Sequence, residues 1–346
     1  MTDHKFDIAI TGTSAFAALL ALTLARRHQK HVCLIGQLPA PLQVLRDITL
    51  AVGPFSRPET LRLVASAVAD LRKFLPPSVF ERRDVVFVAR GAEGRAATGH
   101  VRQMLMGMGV PTTLPPLGSG PRGFVAEGIL ALRPSAFHAG LPDWLAAAEV
   151  RVFAAVEDLQ VGHDIVRFAA GHDFVSAGRI LVTDGASASC LGTLPDGVVA
   201  GWRTAMLTEP VPELADKLIV DAETNGFVVG RADGRLEALA PSQKPEDAGT
   251  WLGEMLPPGT TARVIARQRF PVLLSSDGAP VVAPVAGKAA MVATGFGVGG
   301  GVLAPALAGH LAGASNSAQA GWFEARTAGK KRAAVAEIGC VGGGAP

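Results

Sequence analysis

The chain has 346 residues, with 32 Lys and Arg against 30 Asp and Glu and a formal net charge of +2. At roughly 150 residues per domain this is two domains' worth of chain, and 49% hydrophobic against 18% charged residues excludes a disordered polymer. The near-neutral balance supplies no basic stripe to displace counterions, so nucleic acid is not an expected partner.

With no Tyr, 5% aromatics and 41 Gly, the core must be built mostly of Ala, Val and Leu. Residues 6–10 read as a short buried strand, 11–14 as a tight turn, 15–27 as a helix and 31–36 as a second strand. Strand–turn–helix–strand units of this kind build parallel sheets. An amphipathic helix is predicted over 57–74 and a strand over 84–90. Residues 91–123, rich in Gly, Pro and Met, read as a short helix among loops. Residues 129–132 form a strand, and Pro134 suits the first turn of a helix towards 148, which Gly140 and Pro142 should kink or divide. Strands are predicted at 150–155, 165–169 and 179–183. Residues 202–240 alternate apolar and polar in short runs, as an antiparallel sheet does. A helix within 242–256, strands at 261–269 and 288–294, a glycine loop at 295–301 and a helix at 302–311 complete the pattern. The last residues, 341–346, are small and expected to be disordered.

Cys33, Cys190 and Cys340 form no Cys-x-x-Cys pair and no disulfide framework, which suits a reducing, cytoplasmic setting. None of the eight histidines has metal-ligand spacing, so no metal is expected. His163 and His172 flank an expected hairpin, and His310 reads as structural. The apolar residues 15–24 precede Arg26 and Arg27, the reverse of a signal peptide. No apolar run is long enough for a membrane span.

The first turn is Gly12-Thr13-Ser14-Ala15-Phe16-Ala17. Against the dinucleotide pattern G-x-G-x-x-G/A, Gly12 and Ala17 fit, while Ser14 replaces the glycine that lets backbone approach a pyrophosphate. The second strand ends in Gly36-Gln37, where a ribose-binding acid is usual; Gln37 is a neutral substitute. Taken alone, the turn also suits a structural strand–helix start with no nucleotide.

The C-terminal part carries Asp277-Gly278-Ala279-Pro280, a strand, and then Thr294-Gly295-Phe296-Gly297-Val298-Gly299-Gly300-Gly301-Val302-Leu303-Ala304-Pro305. This resembles the end of the D-amino-acid-oxidase-like FAD oxidoreductases, the family of glycine and sarcosine oxidase, with its D-G-x-P turn and T-G-H-x-x-x-G-x-x-x-A-P segment. Phe296 stands where His is usual. The segment from Leu132 to Pro134, Val156 after a strand, Asp184-Gly185 at a strand end and Trp322 to Arg326 fit the same pattern.

The resemblance implies an α/β fold: a glutathione-reductase-like, Rossmann-type FAD-binding domain plus a substrate domain with a mixed or antiparallel sheet. The cofactor domain is expected at 1–75, 127–195 and 270–330, the substrate domain at 76–126 and 196–269, and a flexible tail at 331–346. It implies FAD-dependent oxidation of a C–N bond in a small amine or amino acid. FAD would lie on the first turn, Gly36, Gln37, Arg46, Val156, Asp184 and Gly185. The second loop, Gly295, Gly297, Val298, Gly299 and Gly300, would face the flavin with backbone N–H groups at a helix N-terminus. Arg267 and Arg269, two apart on a strand and hence on one face, are the expected substrate clamp, with Phe296 beside the flavin. Ordinary solvated arginines fit the same spacing.

Two other readings stay open. Leu181 to Ser189 also resembles the A-D-G-x-x-S segment of flavin monooxygenases that use NAD(P)H. The departures at Ser14, Gly36 and Phe296 equally suit a catalytically degenerate flavin-fold subunit, and the few charges are compatible with a homo- or hetero-oligomer.

Overall fold

The computed structural model describes residues 3–38, 45–53, 55, 57–114, 123–241 and 245–327. The expected tail at 331–346 lies outside them. The chain runs β1 (Asp3–Thr11), α1 (Ala15–His28), β2 (Val32–Ile35), α2 (Pro58–Phe74), β3 (Phe80–Val88), α3 (Ala92–Gly107) and β4 (Thr112–Thr113). It continues through β5 (Gly123–Leu132), α4 (Pro134–Ala147), β6 (Arg151–Phe153), β7 (Glu157–Val161), β8 (Val166–Ala170) and β9 (Asp173–Val182). Then follow β10 (Val198–Pro210), β11 (Leu218–Asp221), β12 (Phe227–Gly230), β13 (Arg235–Ala240), α5 (Pro245–Met255) and β14 (Val264–Ser275). β15 (Val281–Pro284), β16 (Ala290–Thr294), α6 (Gly300–Leu311) and α7 (Ser317–Glu324) close it.

Two sheets result. The first has a parallel centre, β6-β2-β1-β9-β16, with β15 antiparallel at its edge. β9 is shared: its first half also pairs with β8 of the antiparallel β7–β8 hairpin, its last residues with β16. The second sheet runs β14-β10-β13-β12-β11-β3-β5-β4. It is antiparallel except where β11 meets β3 in parallel. β5 and β14 belong to it along their whole lengths.

α1 and α6 form the centre of the main core. Ala15 to Leu24 of α1 are all buried, as is all of α6 except His310. Helices apolar on every side must be covered on every side. The alanines of α1 and the glycines and alanines of α6 let these two helices pack directly against each other. α2 covers α6 with a one-sided apolar face, Leu61, Val64, Ala67 and Leu71.

Two sequence expectations are corrected here. α4 is one continuous helix with Pro142 inside it. Gly140 neither ends nor divides it: a Cβ there would lie 2.3 Å from the ring of Trp144, so the glycine makes room for the indole. The segment expected as a short helix among loops contains the 16-residue α3. Its N-terminus is held from a distance, because Glu223 accepts hydrogen bonds from the backbone N–H groups of Arg90 and Gly91. That contact has no local signature in the sequence.

Candidate functional site

The ends of β1 and β2 meet through two glycines. Gly12 donates to Ile35 O at 3.0 Å, and Gly36 donates to Phe153 O at 2.9 Å. Both have positive φ, 137° and 140°. A Cβ on Gly36 would sit 3.1 Å from Gly12 O in a backbone conformation that L-residues rarely adopt. In this conformation a side chain at position 36 would be strained. Gln37 is exposed.

α1 begins directly after this turn. Ser14 is its N-cap, and its Oγ accepts from Ala17 N at 3.2 Å. The first free N–H, that of Ala15, donates at 2.7 Å to Oδ2 of Asp47, 32 residues away. Asp47 is delivered by a strap, residues 45–53, pinned on both sides. Leu50 N donates to Val298 O and Ala51 N to Leu130 O, each at 2.8 Å, while Thr49 O accepts from Leu132 N at 3.0 Å. Protein packed around Asp47 desolvates its carboxyl and pushes it up to about 6, although the Ala15 N–H favours the charged form.

α6 begins differently. A single 3-10 turn, Gly297–Gly299, leads into it with no side-chain cap and no acidic residue in its first turn. Phe296, at the head of this turn, stacks on Phe16 of α1, with ring centroids 4.9 Å apart and planes at 29°. Both rings are buried. The stack ties the two helix starts to one cavity of about 310 Å³.

The far wall of the cavity comes from the second sheet. Arg203 of β10 stands opposite Phe270 of β14 in register, and its Nη2 donates to Thr224 O at 2.7 Å. The Arg46 guanidinium lies 4.7 Å from the Phe270 ring centroid. Burial lowers its pKa, and among the described residues its buried Nε has no hydrogen-bond partner. Phe227, Leu239 and Val272 supply apolar surface, and Asn225, in a left-handed turn at φ 57°, reaches towards Gly297. The site is thus a largely apolar chamber with two arginines on one side and a glycine-rich helix start on the other.

Of the residues expected from sequence, Thr13, Ser14, Phe16, Arg46 and Asp184 line this chamber, as do Gly295, Phe296, Gly297, Val298 and Gly300. Gly12 after β1, Ala15 and Ala17 at the start of α1 and Gly36 after β2 are not among the residues that line it. Gly299 packs beneath the loop, where a Cβ would lie 2.4 Å from Phe55. Gly185 is pressed on the β14 backbone, where a Cβ would lie 2.5 Å from Val272 N. Val156 is half-buried against the hydrophobic cluster that holds Ile35, Phe153 and Phe168 and does not line the chamber.

Arg267 and Arg269 are the clear discrepancy. Both are exposed, and Arg269 stacks on Trp202 at 4.2 Å. The chamber meets β14 only from Phe270 onwards, so the two arginines lie further out on the strand. Sequence reasoning missed Asp47, Arg203 and Asn225. Arg203 had a signal, a lone cation in an otherwise apolar stretch of sequence; Asp47 had none.

No family model matches the chain, and no curated protein matches its sequence. Solved structures do match its fold. Glycine oxidase from Geobacillus kaustophilus superposes with a TM-score of 0.66 at 15% identity, over 91% of this chain and 96% of that one. L-proline dehydrogenase from P. horikoshii gives 0.66 at 11% identity, over 93% and 97%. Iminodiacetate oxidase from Chelativorans sp. BNC1 gives 0.61 at 16% identity, over 95% and 98%. The fold is therefore the α/β fold of the oxidoreductase family that the C-terminal motif resembles. Among the described residues no helix is long and apolar enough to cross a membrane.

Proposed function

We propose that the protein is an FAD-dependent oxidoreductase that oxidises a C–N bond of a small amine or amino acid. The observation that carries this reading is the pairing of an uncapped helix start with an apolar, arginine-bearing chamber. No side chain caps the Gly297–Gly299 turn or α6 behind it, although Gly300 N donates to Gly297 O; the positive dipole end of the helix favours negative charge in front of it, which suits the pyrimidine edge of a reduced flavin. The chemistry a bound flavin supplies is acceptance of hydride from the carbon beside the amine nitrogen.

The chain's own groups divide the remaining work. Gly295, Gly297 and Gly300 would present backbone to the ring, and Phe296 with Phe16 would keep that end dry. Arg203 and Arg46 suit the carboxylate of an amino acid on the opposite side, since guanidinium binds carboxylate in a fixed fork geometry. In this reading the first sheet with α1 and α6 carries the cofactor, and the second sheet covers the substrate. A chamber of about 310 Å³ lies at the small end of the range of about 300–1,000 Å³ for ligand sites.

The test is the visible spectrum of the purified protein supplied with FAD, followed anaerobically as glycine, L-proline and iminodiacetate are added. Bleaching of the flavin bands by one of them is the expected result. Bleaching only by NAD(P)H would favour a monooxygenase. Failure to take up flavin would point to a non-catalytic subunit.

A further inference from the structure

FAD carries a pyrophosphate as well as a ring, and the two ends of this site treat such a ligand differently. A helix N-terminus binds phosphate through its free N–H groups and its positive dipole end. At α1 those groups are in use: Ala17 N is bonded to Ser14 Oγ and Ala15 N to Asp47. A negatively charged side chain already sits at the positive end of the helix. The hollow between the first turn and Phe137, His138 and Leu141 of α4 has no volume that would admit a water.

We propose that Asp47 is a built-in competitor for the phosphate position of the cofactor. Its carboxylate holds the start of α1, and a dinucleotide binds only when that side chain is displaced. The flavin ring and the dinucleotide tail then bind with separate determinants, α6 for the ring and Asp47 against the tail. The inference rests on the FAD reading above. It adds that affinity for FAD is set by an acid that the first turn itself does not contain.

The experiment titrates the full-length, flavin-free protein with FAD and with riboflavin, which lacks the phosphates, at pH 8. Binding is read by flavin fluorescence and calorimetry. Asp47→Asn keeps an acceptor for Ala15 N and removes the charge; Asp47→Glu keeps the charge. Circular dichroism and thermal melts establish that each variant is folded. The expected result is at least tenfold tighter FAD binding by Asp47→Asn than by the wild type, no such gain in Asp47→Glu, and equal riboflavin binding by all three.

Equal FAD affinity in wild type and Asp47→Asn, with riboflavin bound by both, would overturn the competitor and leave the cofactor reading standing. Equal tightening for FAD and riboflavin would also overturn it, because the effect would not be on the phosphates. Binding of neither flavin by any form would overturn both readings.

Discussion

The helices α1 and α6 both start at the rim of one chamber, both follow a parallel strand through a glycine turn, and both are buried in one core. Yet side chains cap the start of α1 and none caps the start of α6. α1 has a serine cap and a remote carboxylate on its first N–H groups; α6 has neither a side-chain cap nor an acid in its first turn. The difference teaches that a strand–glycine–helix unit fixes only where N–H groups point. Whether they remain available to a ligand depends on what another part of the chain brings to them. Here the same strap that closes α1 with Asp47 also hydrogen-bonds Val298 O in the turn before α6 through its backbone, and brings no side-chain cap to that helix start.

Substitutions can break or sharpen this contrast. The largest effect should come from Phe296→Ala, which removes the ring that joins the two helix starts. A buried Phe cut to Ala costs about 3–5 kcal/mol, and chemical denaturation should show a loss of that size.

Next is the pH dependence of Asp47. Its folded pKa of about 6 lies above the ordinary carboxylate value. The folded state thus binds the proton more tightly than the unfolded state, and stability falls as pH rises from about 4 to about 6. The loss above pH 6 is on the order of 2–3 kcal/mol. Arg46, Asp184 and Arg203 in the chamber, and His138 beside Ala15, face the same region and are unchanged in Asp47→Asn. That variant should therefore melt higher than wild type at pH 8, with the difference shrinking towards pH 4. A constant difference across this range would assign the effect to packing.

Gly36→Asp places a carboxylate at the end of β2, at φ 140° against Gly12 O. Strain of this kind costs about 1–3 kcal/mol, so the melting temperature should fall with no gain in FAD affinity. The smallest effect belongs to Ser14→Ala. An N-cap loss averages about 1 kcal/mol, and Asp47 still holds Ala15 N, so the change should fall at or below that figure.

Much of this architecture was legible in the order of residues. The alternation and apolar runs placed β1, β2, α2 and β16, and the two glycine turns were found at the starts of α1 and α6. The chamber lining was half legible. Thr13, Ser14, Phe16 and Phe296 stand in motifs, and Arg46 follows the second strand. The arginines of β14 were misplaced because a strand's period gives the face of a side chain but not its distance along the strand from a cavity. Pro142 in α4 misled for a related reason: the packing of α4 against the core kept the helix whole despite its local cost.

The sequence by itself determined the strand–turn–helix units, the small-residue faces of α1 and α6, and the glycines at 12 and 36. These depend on neighbours a few residues apart, through sterics and periodicity. Only the tertiary structure decided that Asp47 closes α1 across 32 positions, that Arg203 faces Phe270 across the β10–β14 register, and that Arg267 and Arg269 face solvent. Those outcomes depend on how the strap and the two sheets are brought together. Hydrogen bonds and ion contacts act over a few ångströms of space, and linear spacing carries no measure of that distance.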